Sequence, residues 1–349
     1  MKQNKTSIKN ILSLVFIIGV FIGLVLYILY TDGIAKTRMV LESADYKWIL
    51  IGLLSMTGIY LFESLVLYIP LKKQYKGLSF PITVLSIIVC RFFNIITPFS
   101  TGGQPFQAYM LSRYGLRVSD TLSAMTIKYV IYQIGLFAWA LVLLIGNYSF
   151  FIQTFHNDLW LVLLGTGVNL IVTIVAILIG LNETIIMKIA HAILKALSHL
   201  HIGCHYMIRD PEGLLQKTDD TIHHYCLQFK QAKYNKSTLI QMSMATMLQI
   251  ICNISIPYAV YRAFDNTGFT YFQILTTQIY LHLMIAYVPT PGSSLGAEGG
   301  FALLYRSIFK NGLNPAMFFW RSCTFFFPFF AGCIASIITR KELINKRNN

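Results

Sequence analysis

The chain has 349 residues, of which 55% are hydrophobic and only 12% are charged, and its mean hydropathy is +0.60. These values exclude an ordinary soluble enzyme and predict an all-α, polytopic membrane protein with one transmembrane domain over residues 1–349. A formal net charge of +14 would suggest nucleic-acid binding in a soluble protein. Here most Lys and Arg residues lie in short loops beside apolar segments, so the charge predicts topology and no nucleic-acid partner is expected.

Six apolar segments are long enough to cross a bilayer as helices. They are residues 11–30, 48–70, 122–145, 158–180, 238–262 and 316–338. The first has no small-residue cleavage site, so it is expected to be retained. Residues 146–157 are predicted to be a short loop. The distribution of Lys and Arg predicts that both termini lie in the cytoplasm.

Two further apolar segments are interrupted by proline and glycine, at residues 97–104 and 289–300. The segment before the first break, residues 82–96, would be roughly 23 Å long as a helix, too short for a hydrocarbon core of about 30 Å. We predict two re-entrant hairpins, residues 82–112 and 271–309, which enter from opposite sides. A full crossing by residues 271–288 stays open. Broken helices at matching places in two halves, residues 1–180 and 238–349, are typical of a transporter's central site.

Residues 181–237 form the only sizeable polar segment and are predicted to be cytoplasmic. Apolar residues recur at helical spacing from Ile186 to Leu200, which predicts an amphipathic helix on the bilayer surface. A second helix is predicted to start at Asp210 and Pro211. The histidines and the cysteine of this segment match no standard zinc spacing, so no metal site is predicted. Those residues are His199, His201, Cys204, His205, His223 and His224.

Five ionisable residues fall in or near apolar segments, namely Glu63, Arg91, Lys128, Glu298 and Arg321. Each costs about 2.5–3.5 kcal/mol at membrane depth and is expected to face protein or water. Glu298 is predicted to lie in the first turn of a half-helix that continues over residues 301–309. It either pairs with Arg91 or Arg321 as a structural ion pair or contacts substrate. Because positive charges exceed negative ones by one, and half-helix N-termini would present free N–H groups, the centre is predicted to favour an anion such as a lipid phosphate.

The two breaks carry short motifs: Arg91-x-x-Asn94-x-x-x-Pro98 leads to Gly102-Gly103, and Pro289-x-Pro291-Gly292 leads to Leu295-Gly296-x-Glu298. In order and spacing they resemble the flippase-like transmembrane region of lysylphosphatidylglycerol synthases. The resemblance runs from about Lys9 to Ile338. One departure is Ser293-Ser294, where the family pattern has glycine, and this leaves the lipid open.

This resemblance implies a bacterial or archaeal plasma-membrane protein that moves a polar lipid between leaflets. In two-part family members the lipid is an aminoacylated phosphatidylglycerol, and its exposure gives resistance to cationic antimicrobial peptides. Those members also carry a soluble domain that transfers lysine from lysyl-tRNA. That domain is expected to be absent here, because Asn349 follows the last apolar segment by eleven residues. No transferase activity of this chain alone is therefore expected.

The favoured function is a flippase or translocase for an anionic or aminoacylated phospholipid. The alternatives are the membrane component of a phosphatidylglycerol lysyltransferase that needs a separate catalytic domain, a docking scaffold for such a soluble enzyme, and a transporter of a soluble solute. A homodimer is left open. No catalytic residue, metal or cofactor is predicted. The predicted substrate-binding residues are Arg91, Asn94, Pro98, Gly102, Gly103, Gln104, Pro291, Gly292, Ser293, Ser294, Gly296, Glu298 and Arg321.

Overall fold

The computed structural model describes residues 42, 44–97, 102–199, 211–232, 235–264, 266–285, 294–309 and 312–348. Over these ranges the chain is helical and contains no strand, which confirms the all-α prediction. The predicted first span, residues 11–30, lies outside the described residues. So do residues 98–101, 200–210 and 286–293.

The helices follow the apolar segments closely. They are α1 (Tyr46–Gln74), α2 (Phe80–Ile96), α3 (Gly103–Arg113), α4 (Val118–Gly146), α5 (Tyr148–Phe155), α6 (Leu159–Leu181), α7 (Glu183–His199), α8 (Pro211–Ala232), α9 (Lys236–Ala263), α10 (Tyr271–Ile285), α11 (Ser294–Phe309), α12 (Leu313–Arg321) and α13 (Phe327–Asn348). A π-helical turn, Ser322–Phe326, joins α12 to α13. Such turns often occur at functional sites.

Four helices are long and apolar enough to cross a membrane: α1, α4, α9 and the continuous run Leu313–Thr339. A fifth crossing exists if the bent pair of α5 and α6, which meet at 114°, counts as one span. The loop predicted over residues 146–157 is wrong, because α5 occupies most of it. Phe151 and Phe155, one helical turn apart, are both buried in the core and fix this helix against the protein.

The core forms where the two halves of the chain meet. Helix α1 packs along α9, α2 packs against α13, and α4 contacts α1, α8, α9 and α10. Within each broken segment the entering and returning helices also pack together, α2 with α3 and α10 with α11. At each break the helix before it and the helix after it therefore pack against each other.

The polar segment contributes two helices, as predicted, and they are tied to each other. His191 Nε2 lies 2.7 Å from Asp219 Oδ1, and His223 Nδ1 lies 2.7 Å from Glu183 Oε1. The Tyr225 hydroxyl donates to Thr126 Oγ1 on α4 at 3.2 Å. Helix α8 thus docks on a membrane helix.

Helix α11 begins earlier than predicted. It starts at Ser294, so Glu298 lies beyond the first turn, and the predictions of a first-turn carboxylate and of a half-helix over residues 301–309 are wrong in these bounds. The sequence predicts that glycine interrupts this segment, but Gly299 and Gly300 are helical, and Gly300 packs against α10. A Cβ at Gly300 would lie 2.6 Å from Leu281 Cδ1, so its absence lets α11 approach α10.

Candidate functional site

The first break is held by side chains of the first motif. Asn94 Oδ1 accepts a hydrogen bond from the Gly103 N–H at 2.9 Å, and Thr97 Oγ1 accepts one from the Gly102 N–H at 2.9 Å. A Cβ at Gly103 would lie 2.2 Å from the Cys90 carbonyl oxygen, so only glycine permits this approach of α3 to α2. The prediction of free N–H groups at this N-terminus is wrong for Gly102 and Gly103, because the chain itself bonds them.

Arg91 of the same motif belongs to a cluster of three charges near the middle of the fold. Glu63 Oε2 accepts from Arg91 Nε at 2.7 Å, and Glu63 Oε1 accepts from Lys128 Nζ at 2.8 Å. The Arg91 guanidinium also lies over the Tyr60 ring, 5.6 Å from its centroid. Two cations against one carboxylate leave this cluster one net positive charge.

A cavity of about 420 Å³ opens beside this cluster. The three charged side chains line it, together with polar residues from α2, α3, α4, α9 and α10. These residues are Asn94, Gln104, Gln107, Tyr129, Tyr132, Gln249 and His282. Thr324 of the π-helical turn, Pro328 of α13 and the apolar side chains of Cys90, Ile95 and Met125 complete the lining. The cavity thus combines apolar walls with a positively charged cluster, and both halves of the chain contribute to it.

The second break carries a separate charge pair. Glu298 of α11 lies 3.4 Å from Arg321 Nε of α12, and the two side chains are 25% and 6% exposed. The Arg321 guanidinium also lies 5.1 Å from the Trp320 ring centroid and 5.5 Å from that of Phe325. Of the two pairings predicted for Glu298, the structure has the one with Arg321. Arg91 pairs with Glu63 instead.

The predicted binding residues therefore fall into separate groups. Arg91, Asn94 and Gln104 line the cavity. Gly102 and Gly103 shape the start of α3, whereas Glu298 and Arg321 form the second pair. Ser294 and Gly296 lie in the first turn of α11. Pro98, Pro291, Gly292 and Ser293 lie outside the described residues.

Sequence reasoning missed several residues of the cavity. Glu63 and Lys128 stand out in the sequence as charges within apolar segments, but nothing there connects them with Arg91. His282 is one polar residue in an apolar run, and Tyr132, whose hydroxyl lies 3.2 Å from His282 Nε2, looks like an ordinary aromatic of a membrane helix. Tyr132 and His282 are 150 residues apart, so no local sequence pattern predicts their contact.

The long apolar helices and the charged cavity between them are typical of a polytopic membrane protein. The family model described as "Lysylphosphatidylglycerol synthase TM region" matches residues 10–332. The chain belongs to this family of integral membrane proteins, as its motifs indicated. A search of curated proteins gave no match, and neither did a search of solved structures.

Proposed function

We propose that this protein is a lipid flippase or translocase that moves a polar phospholipid between the leaflets of the plasma membrane. The observation that carries the proposal is the cavity beside Glu63, Arg91 and Lys128. A charged side chain at membrane depth is costly, so a protein that keeps three of them around a cavity has a use for them. A lipid headgroup is the charged group that a membrane supplies in quantity.

The size and lining of the cavity suit a headgroup. At about 420 Å³ it falls within the range of cavities that bind small ligands. Arg91 presents a planar guanidinium that can bond a phosphate, and Gln104, Asn94 and Tyr129 add hydrogen-bonding groups around it. Acyl chains would stay in the bilayer while the headgroup passes through protein.

The topology that serves this function has six spans and two opposed re-entrant hairpins, with both termini in the cytoplasm. In this arrangement the α2–α3 and α10–α11 hairpins form an inverted pair around the centre, and their turns lie at opposite ends. Residues from both hairpins contribute to one cavity, Gln104 from the first and His282 from the second. Relative movement of the hairpins would then open the cavity alternately to each side.

Leaflet exchange in reconstituted vesicles tests the proposal. Fluorescent phosphatidylglycerol, its lysyl derivative and a polyprenyl-phosphate-linked lipid are compared in vesicles with the wild type, Arg91→Ala and Glu298→Gln. We expect the wild type to exchange one lipid class and Arg91→Ala to lose that exchange while it stays folded. Lys236→Gln is the matched control, because Lys236 is exposed at the start of α9. No exchange of any lipid by the wild type would refute the flippase proposal.

A second candidate function is a docking scaffold for a soluble lipid-modifying enzyme. The observation that favours it is the pair α7 and α8, which two His–carboxylate contacts join and which Tyr225 attaches to α4. Deletion of residues 185–235 separates the two functions. A flippase should retain lipid exchange after the deletion, whereas a scaffold should lose its effect on the partner enzyme and show no exchange in either form.

A further inference from the structure

We infer that the cavity selects headgroups with a net negative charge, of the phosphatidylglycerol kind, over aminoacylated headgroups with a net positive charge. This inference rests on the proposed lipid exchange and names its substrate class. The family description points to a lysylated lipid. The charges around the cavity point to the lipid before that modification.

The first argument is that Glu63, the only carboxylate among the described lining residues, already binds two cations of the protein. Both Glu63 oxygens are already engaged, Oε2 by Arg91 and Oε1 by Lys128, at 2.7 and 2.8 Å. A lysyl ester brings two ammonium groups, and the phosphodiester of the lipid can neutralise one of them, so the other must be paired or hydrogen-bonded when it leaves water. In this cavity it would have to share Glu63 with Arg91 and Lys128, which repel it.

The second argument is the net charge. Arg91, Lys128 and Glu63 together carry one positive charge, and the other described lining residues are neutral polar or apolar apart from His282. A phosphodiester carries one negative charge and cancels this excess. A lysylated headgroup carries a net positive charge and adds to it. Opposite charges attract and like charges repel, so this difference of charge favours the anionic headgroup.

The third argument is the position of the other carboxylate. Glu298 is the acid that could serve a second ammonium group, but it faces Arg321 at 3.4 Å and neither residue lines this cavity. The described residues thus provide two carboxylates at depth, and each one is paired with a cation of the protein. A cationic headgroup finds no carboxylate of its own.

A series of lipids with identical acyl chains and different headgroup charges tests the inference. Exchange is measured in vesicles for phosphatidylglycerol, phosphatidylethanolamine and lysyl-phosphatidylglycerol, whose headgroups are negative, zwitterionic and positive. Retention of each lipid on the detergent-solubilised protein is measured in parallel. We expect rates to fall along this series, with the lysyl lipid at least about tenfold slower than phosphatidylglycerol. Lysyl lipid exchanged as fast as phosphatidylglycerol, or faster, would overturn the inference and leave the flippase proposal intact.

Retention separates the two proposals when no lipid moves. Stronger retention of phosphatidylglycerol without exchange would overturn the flippase proposal and support the charge selection, whereas equal retention would overturn the selection. Lys128→Gln tests whether the net charge of the cluster causes the preference, with Lys236→Gln as the matched control. Lys128→Gln removes the excess positive charge, so we expect the preference for phosphatidylglycerol to shrink to about threefold or less. Lys236→Gln, outside the cavity, should keep the full preference.

Discussion

The two broken hairpins share a construction but differ in charge. In each, a glycine of the second helix lies close to the first helix: Gly103 faces the Cys90 carbonyl oxygen, and Gly300 faces the Leu281 side chain. The first hairpin places Arg91 beside Glu63, which also binds Lys128, and a cavity opens there. The second places a single carboxylate against a buried arginine that aromatic rings enclose.

This difference shows that a repeated backbone motif does not make two equal sites. Glu63 and Lys128 come from α1 and α4, outside the first hairpin, and their charges cancel, so the cluster keeps the positive charge of Arg91. At the second hairpin Glu298 and Arg321 cancel. The first cluster therefore has a net charge that attracts an anion, whereas the second pair is suited to joining α11 to α12.

The largest expected effect concerns the two carboxylates. Glu63→Gln leaves Arg91 and Lys128 facing each other without an anion, and we expect it to lower the free energy of unfolding by about 3 kcal/mol or more. Glu298→Gln should cost less, about 1–2 kcal/mol, because Arg321 keeps its contacts with Trp320 and Phe325. Denaturant unfolding in mixed micelles measures both. Equal decreases in the free energy of unfolding for the two variants would contradict the difference proposed between the two clusters.

The next effect concerns the glycines of the two returning helices. Gly103→Ala puts a Cβ 2.2 Å from a backbone oxygen, which cannot move without shifting α2, and should destabilise the protein by about 1–3 kcal/mol. Gly299→Ala is the matched control in the second hairpin. Nothing lies within 4 Å of its Cβ, and alanine favours the helix by about 0.5–1 kcal/mol. The same unfolding measurement should give opposite signs for the two variants.

The smallest effect concerns the side-chain cap of α3. Thr97→Val removes the oxygen that accepts from the Gly102 N–H, and should cost about 1 kcal/mol. Thr97→Ser keeps that oxygen and should stay close to the wild type. If both variants unfold alike, the hydrogen bond contributes nothing measurable, and the start of α3 is held by the Asn94 bond and the packing of Gly103.

Much of the fold could be predicted from the sequence, because the membrane imposes long apolar helices. The segments 48–70, 122–145 and 238–262 each lie inside a longer helix of the structure. Prediction failed at the helix ends. The glycines of residues 296–300 suggested a break, but they are helical, and the lack of a side chain at Gly300 allows the contact with α10. Residues 146–157 were predicted to be a loop because the segment is short and polar at both ends. They contain a helix instead, which two buried phenylalanines stabilise.

The candidate site could be predicted in part. Arg91, Asn94 and Gln104 were found because the motif places them at a break, and the structure has them on one cavity. The pairing of Arg91 could not be predicted, since Glu63 lies 28 residues away on another helix and Glu298 was an equally good partner on charge alone. Periodicity tells which face of a helix is polar, but not which helix it meets.

By itself, the sequence determined the membrane class, the helical fold, the family and the two breaks, because each depends on local composition or on short motifs. Only the tertiary structure decided how five charges divide into a cluster of three and a pair. That division depends on distances between helices far apart in the chain. It leaves one cation in excess at the first hairpin and none at the second, and on this the proposed selection of anionic lipids depends.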